Sequence, residues 1–192
     1  MITAIIQARM SSSRLPGKVL LPLLGQPMLA RQVERTRRAR ELDAIVVATS
    51  TDPSDDPIAA CCSSSGIAYE RGSLDDVLDR YYQTALKGRP DRIVRLTADC
   101  PLIDPRVIDA VVAFAVTGRY DYASNTIEST FPDGLDVEVF TFSALETAWQ
   151  EALLPSEREH VTPYLKNAPG IRRGNFRGDK DLSLRRWTVD EP

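Results

Sequence analysis

Ile2-Thr3-Ala4-Ile5-Ile6-Gln7-Ala8-Arg9-Met10-Ser11-Ser12-Ser13-Arg14-Leu15-Pro16-Gly17-Lys18 opens the chain with an apolar, β-branched run followed by a loop of small residues, cations and a Pro-Gly turn. The run has the composition of a strand buried on both faces, and the loop ends where a helix pattern begins near residue 27. The same rhythm then repeats. Ala44-Ile45-Val46-Val47-Ala48 precedes a helical pattern near 55–65, Ala68-Tyr69 one near 74–87, and Arg92-Ile93-Val94-Arg95-Leu96 one near 105–117. Four β-α repeats predict an α/β fold with a Rossmann-like, mostly parallel, doubly wound sheet. Ligands of such sheets bind beyond the carboxyl ends of the strands, so the residues just after each run are the informative ones.

After residue 118 the rhythm changes. Tyr120-Asp121-Tyr122-Ala123 and Val137-Glu138-Val139-Phe140-Thr141-Phe142 read as strands, 143–153 and 157–167 as helices, and 171–176 and 183–188 as short strands. We expect a single domain over 1–192, with a nucleotide-binding core over 1–118 and an acceptor-side extension of the same sheet over 119–192.

With 192 residues and 43% hydrophobic content, one compact domain is the expectation. No apolar stretch is long enough to span a bilayer, and the first strand starts directly behind Met1, so neither an anchor nor a leader is expected. Cys61, Cys62 and Cys100 have no metal-site spacing and read as small buried hydrophobes of a reducing cytoplasm. A net charge of -3 argues against a nucleic-acid partner. The charge is uneven, however: Arg9, Arg14, Lys18, Arg31, Arg35, Arg37, Arg38 and Arg40 face the single acid Glu34 in the first forty residues. That segment suits a local polyanion such as a triphosphate, while Arg35 to Arg40 also read as a solvated helix end.

The first loop carries the chemistry. Small residues at Ala8 and Ser11 to Ser13 let backbone amides approach phosphate oxygens, and Arg9, Arg14 and Lys18 can neutralise them. Neither the dinucleotide-binding GxGxxG nor the P-loop GxxxxGK[ST] is present. The fourth strand ends in Arg95-Leu96-Thr97-Ala98-Asp99-Cys100-Pro101, and alternation puts Arg95, Thr97 and Asp99 on one face. A carboxylate at that edge is a hard-oxygen ligand for magnesium. Asp190, in Trp187-Thr188-Val189-Asp190-Glu191-Pro192, is a second candidate. Asp104 before Pro105 reads as a helix N-cap.

The combination of Ala8-Arg9, Ser12-Ser13-Arg14-Leu15-Pro16-Gly17-Lys18, Asp99-Cys100-Pro101-Leu102-Ile103-Asp104 and Thr188-Val189-Asp190-Glu191-Pro192 resembles the cytidylyltransferases that include CMP-Kdo and CMP-sialic acid synthetases, and most nearly the spore coat polysaccharide branch. The resemblance implies a fold of the nucleotide-diphospho-sugar transferase type. It also implies a cytoplasmic, magnesium-dependent enzyme that joins CMP from CTP to a sugar or sugar acid, and a homodimer. It assigns Ala8, Arg9, Ser13, Arg14, Lys18, Arg71, Ser73 and Arg95 to the nucleotide, with Arg14, Lys18 and Asp99 catalytic and Asp99 and Asp190 holding the metal. Asp133, Gly134, Asp136, Glu138 and His160 fall to the acceptor side; the acids around that turn suit sugar hydroxyls, and solvated hairpin acids are the competing reading. Two departures stand out: Ala98 replaces a glycine common in relatives, and the family pattern continues past Pro192 into a closing helix, so a trimmed C-terminus is the expectation. Alternatives are a sugar-1-phosphate nucleotidyltransferase using another base and a non-catalytic nucleotide-binding homologue. A glycosyltransferase would show an Asp-x-Asp after a central strand, where this chain has Asp99-Cys100-Pro101.

Overall fold

The computed structural model describes residues 1–189. Strand β1 (Ile2–Gln7) is an interior strand of a seven-stranded sheet, flanked in parallel by β4 (Ala44–Ser50) and β6 (Arg92–Thr97). β5 (Tyr69–Gly72) extends the β4 side in parallel. On the other side lie β8 (Glu138–Thr141), β7 (Tyr122–Ser124) and β9 (Arg173–Asn175), giving the order β5-β4-β1-β6-β8-β7-β9. Only β8 runs antiparallel to its neighbours. The parallel strands need helical crossovers, whereas residues 125–137 return the chain from β7 to β8 without a helix and so reverse its direction. A small hairpin, β2 (Pro22–Leu23) with β3 (Gln26–Pro27), precedes α1 (Met28–Thr36).

Period-2 alternation divides each central strand between two cores. Ala4 and Ile6 of β1 face a cluster with Leu29 and Val33 of α1, Ile58 and Cys62 of α2 (Asp56–Ser64), and Ile108, Val111 and Val112 of α4 (Pro105–Thr117). Ile5 points the other way, to Leu78 and Tyr81 of α3 (Val77–Gly88) and Leu145 and Ala148 of α5 (Phe142–Glu151). With both faces covered, the near-continuous apolar runs are explained by burial rather than by propensity. Asp104 is the N-cap of α4, accepting from Arg106 N at 2.9 Å, with Pro105 at the first turn. Cys62 and Cys100 are buried and Cys61 is half-buried; burial pushes the Cys62 thiol up to about 12.

Two sequence expectations are modified. The helix expected over 157–167 is two short ones, α6 (Pro155–His160) and α7 (Pro163–Asn167), separated at Val161. The strand expected over 183–188 is reduced to one bridge between Asp133 and Arg186, because this segment meets a turn rather than a sheet edge. Among the described residues, no helix is long and apolar enough to cross a membrane.

Candidate active site

The sheet order reverses between β1 and β6, and the crevice at that point is where a ligand fits. Gln7 and Ala8 after β1 and Thr97, Ala98 and Asp99 after β6 line a cleft of about 200 Å³, closed by Arg9, Ser12, Ser13, Arg14 and Lys18 of the first loop. Of the residues assigned to the nucleotide, Ala8, Arg9, Ser13, Arg14 and Lys18 therefore meet here, together with Asp99. Lys18 is 8% exposed, and its Nζ lies 2.9 Å from Asp99 Oδ2. Burial works to raise the Asp99 pKa, but the Lys18 ammonium and the Thr97 hydroxyl outweigh it and hold the carboxyl below its ordinary value. Asp99 is thus ionised and already beside a cation before any ligand arrives.

Local geometry holds this arrangement from behind. Gly17, at φ 73°, allows the turn that leads Lys18 into the cleft, and its N–H donates to Met10 O at 2.9 Å. The fully buried Asp55 accepts from Met10 N at 2.7 Å and from Ser50 Oγ at 2.5 Å, tying the first loop to the end of β4. Gln32 of α1, also fully buried, spans the turn that carries Asp99: its Nε2 donates to Thr97 O at 2.7 Å and its Oε1 accepts from Cys100 N at 3.3 Å. Sequence reasoning missed both. The available signal was a polar residue on the apolar face of a helix pattern, which marks a buried polar group needing partners.

A second recess of about 200 Å³ adjoins the first through Thr97, which lines both, and is bounded by Arg95, Thr126, Asp136, Glu138 and Lys166. Glu138 is 3% exposed. Its Oε1 accepts from Tyr122 Oη at 2.6 Å and Thr162 Oγ1 at 2.9 Å and pairs with Lys166 Nζ at 2.9 Å, while Arg95 Nη1 binds Oε2. Burial raises its pKa, but Arg95 and Lys166 reverse the effect and hold it at about 2. Glu138 therefore acts as the brace of the recess, with its oxygens committed to the protein. Asp136 stays exposed in the recess, and partial desolvation, followed by repulsion from Asp133 and Glu138, pushes it up to about 6.

The other sequence candidates stand apart from these two recesses. Arg71 donates to Ser50 O and Asp52 O and pairs with Asp56, holding the loop after β4. Ser73 Oγ accepts from Asp76 N at 3.0 Å at the start of α3, and Arg80 Nη1 donates to Ser73 O at 2.5 Å from beneath. Next to them a third cleft, lined by Arg9, Leu74, Asp75, Asp76, Pro155, Arg158 and Glu159, meets the first through Arg9. His160 is exposed at the end of α6. Asp133 pairs with Arg186 at 3.4 Å, and Gly134, at φ 102°, lies under Trp187 and Thr188 so closely that a Cβ would stand 2.8 Å from the Trp187 carbonyl carbon. From there the chain reaches Asp99, whose carbonyl accepts from Val189 N at 2.9 Å. Asp190, the second expected metal ligand, lies outside the described residues.

Three contiguous clefts, one cationic and bounded by a carboxylate, fit an elongated polyanion with a group at each end. A family model described as cytidylyltransferase matches residues 3–191. A Methanocaldococcus jannaschii protein with no assigned function is 42% identical over 170 residues, covering 88% of this chain and 69% of that protein. The spore coat polysaccharide biosynthesis protein SpsF of Bacillus subtilis is 37% identical over 182 residues, covering 91% and 74%. A solved cytidylyltransferase structure from Leptospira borgpetersenii superposes with a TM-score of 0.93 at 36% identity, covering 98% of this chain and 81% of that one.

Proposed function

The chain belongs to the cytidylyltransferase family, and on that premise we propose that it transfers CMP from CTP to a sugar or sugar-acid acceptor with release of pyrophosphate. The observation that carries this reading is the phosphate cleft: Arg9, Arg14 and Lys18 converge on one side of a crevice and Asp99 on the other. In this reading the acceptor hydroxyl oxygen attacks the α-phosphorus, and the bond to the β-phosphate bridging oxygen breaks. Lys18 and Arg14 stabilise the negative charge that builds on the departing pyrophosphate, and burial makes the Lys18 charge count for more than it would in water. Arg9, shared by the first and third clefts, faces both the phosphates and the nucleoside side. We assign residues 1–118 to the nucleotide and 119–192 to the acceptor, with the Asp136 recess adjoining the phosphate cleft at Thr97.

Magnesium fits this donor set. Asp99 spends Oδ2 on Lys18, while the Cys100 thiol, a weak donor, lies 3.5 Å from Oδ1, so a hard oxygen is at hand for a divalent cation. Magnesium takes one or two carboxylates from a protein and completes its shell with water and phosphate. Asp99 and Asp190 are the residues we assign to hold it, and it would supply charge neutralisation on the phosphates. SpsF's coverage supports a place near the spore coat polysaccharide branch, although the Methanocaldococcus protein has the higher identity. The resemblance also supports a cytoplasmic homodimer, which sedimentation would test.

The deciding experiment is pyrophosphate release with CTP, ATP, GTP and UTP against sugar acids, sugar phosphates and neutral sugars, with magnesium and with Asp99→Asn as control. CTP-selective release lost in the variant supports the reading. Equal use of other bases favours a different nucleotidyltransferase, nucleotide binding without turnover across the panel favours a non-catalytic nucleotide-binding homologue, and absence of both turnover and CTP binding overturns the reading.

A further inference from the structure

The ion pair in the phosphate cleft joins a fixed carboxylate to a movable ammonium. Asp99 is held through its backbone: its carbonyl accepts from Val189 N at 2.9 Å, and Gln32 binds Thr97 O and Cys100 N on either side of it. Lys18 starts one turn of 3₁₀ helix (Lys18–Leu20) and carries its charge on a flexible four-carbon stem. Its ammonium donates to Asp99 Oδ2 at 2.9 Å. The two side chains are 10% and 24% exposed, so water and salt screen the pair only in part.

This contact ties up what both partners are needed for. Asp99 has one negative charge, and a divalent cation approaching Oδ1 meets a carboxylate already neutralised, with a like charge beside it. Lys18 in turn faces a triphosphate while still engaged by Asp99, whose own charge repels the phosphates. A polyanion and a divalent cation bound together remove both conflicts: the ammonium turns to phosphate oxygen and the carboxylate serves the cation. Each ligand then improves the site for the other, and the coupling is the same whichever binds first.

We propose that the Lys18–Asp99 pair is a latch that weakens binding of nucleotide and of metal when either comes alone, so that the two bind cooperatively. The inference rests on the cytidylyl-transfer reading and describes how that site assembles. Each ligand is measured alone, since the two also chelate one another in solution. Mn2+, followed by the electron paramagnetic resonance of the free ion, is titrated into the full chain without nucleotide. Lys18→Met should bind it about 10-fold more tightly than wild type, the size expected for one charge-assisted hydrogen bond in a part-buried site. Arg9→Met removes an exposed cation from the same cleft and should stay within about threefold of wild type. CTP is titrated separately, in EDTA, by calorimetry. Asp99→Asn should tighten this metal-free binding about 10-fold, and clearly less when Lys18 is already methionine, because the gain comes from the freed ammonium. Unchanged Mn2+ affinity in Lys18→Met overturns the latch, and so does an equal gain in Arg9→Met, which marks a general field. An Asp99→Asn gain of the same size in both backgrounds also overturns it, reducing Asp99 to simple repulsion, while cytidylyl transfer stands. If CTP binds no variant, with or without magnesium, the cytidylyl-transfer reading falls as well.

Discussion

Replacing Gln32 with methionine tests whether the site is held from behind. Methionine keeps nearly the same length and volume, so the change removes the amide's hydrogen bonds without opening a cavity. Thr97 O and Cys100 N each lose the partner that Gln32 supplies in the core. An unsatisfied buried backbone group costs about 1–3 kcal/mol, so the pair should cost roughly 2–4 kcal/mol after partial relaxation. For a chain of this size that lowers Tm by roughly 5–15 °C. The same turn carries Asp99, and a shift of about 1 Å in a reacting group costs on the order of 100-fold in rate. Urea denaturation followed by circular dichroism, together with pyrophosphate release, checks both parts. Gln32→Met should lower the urea midpoint at constant m and reduce kcat by about tenfold or more. An unmoved midpoint with unchanged kcat refutes the claim that Gln32 positions Asp99.

Other perturbations address other links. The Glu138 pKa falls from 4.5 to about 2 on folding, so its contribution is complete above about pH 5 and disappears as pH falls toward 2. That contribution is on the order of 3 kcal/mol, and the stability gap between wild type and Glu138→Gln in urea titrations should shrink steadily from pH 6 to pH 3. Gly134→Ala brings a Cβ against the Trp187 backbone at a positive φ, and should loosen the 185–189 segment, seen as faster tryptic cleavage at Arg185 and Arg186. Asp104→Ala removes a helix cap and an exposed ion pair with Arg106, and should cost about 1 kcal/mol while leaving the KM for CTP unchanged.

Much of the fold is legible in the sequence because burial on two faces writes itself into composition. Ile2 to Ile6, Ala44 to Ala48 and Arg92 to Leu96 read as strands, and they pair in parallel. That the loop after the first strand lines a cleft was legible for a related reason: it follows directly on a strand at the ligand edge of the sheet. The direction of β8 and the split at Val161 were not legible, since nothing local in those residues opposes the continuous alternative.

What the sequence by itself determined is the sheet, its ligand edge, and the gathering of Arg9, Arg14, Lys18 and Asp99 there, because periodicity and chain connectivity place the ends of parallel strands together. Tertiary structure alone decided what each polar group is free to do. Glu138 reads as an acceptor-side acid in sequence, yet four side chains from β6, β7 and the segment around α7 occupy its oxygens. Arg71 reads as a nucleotide contact, yet it is engaged by the loop after β4. Gln32 and Lys166 carry no motif, and their roles come from residues distant along the chain. Hydrogen-bond partners within the core are chosen by packing, which composition and spacing do not encode.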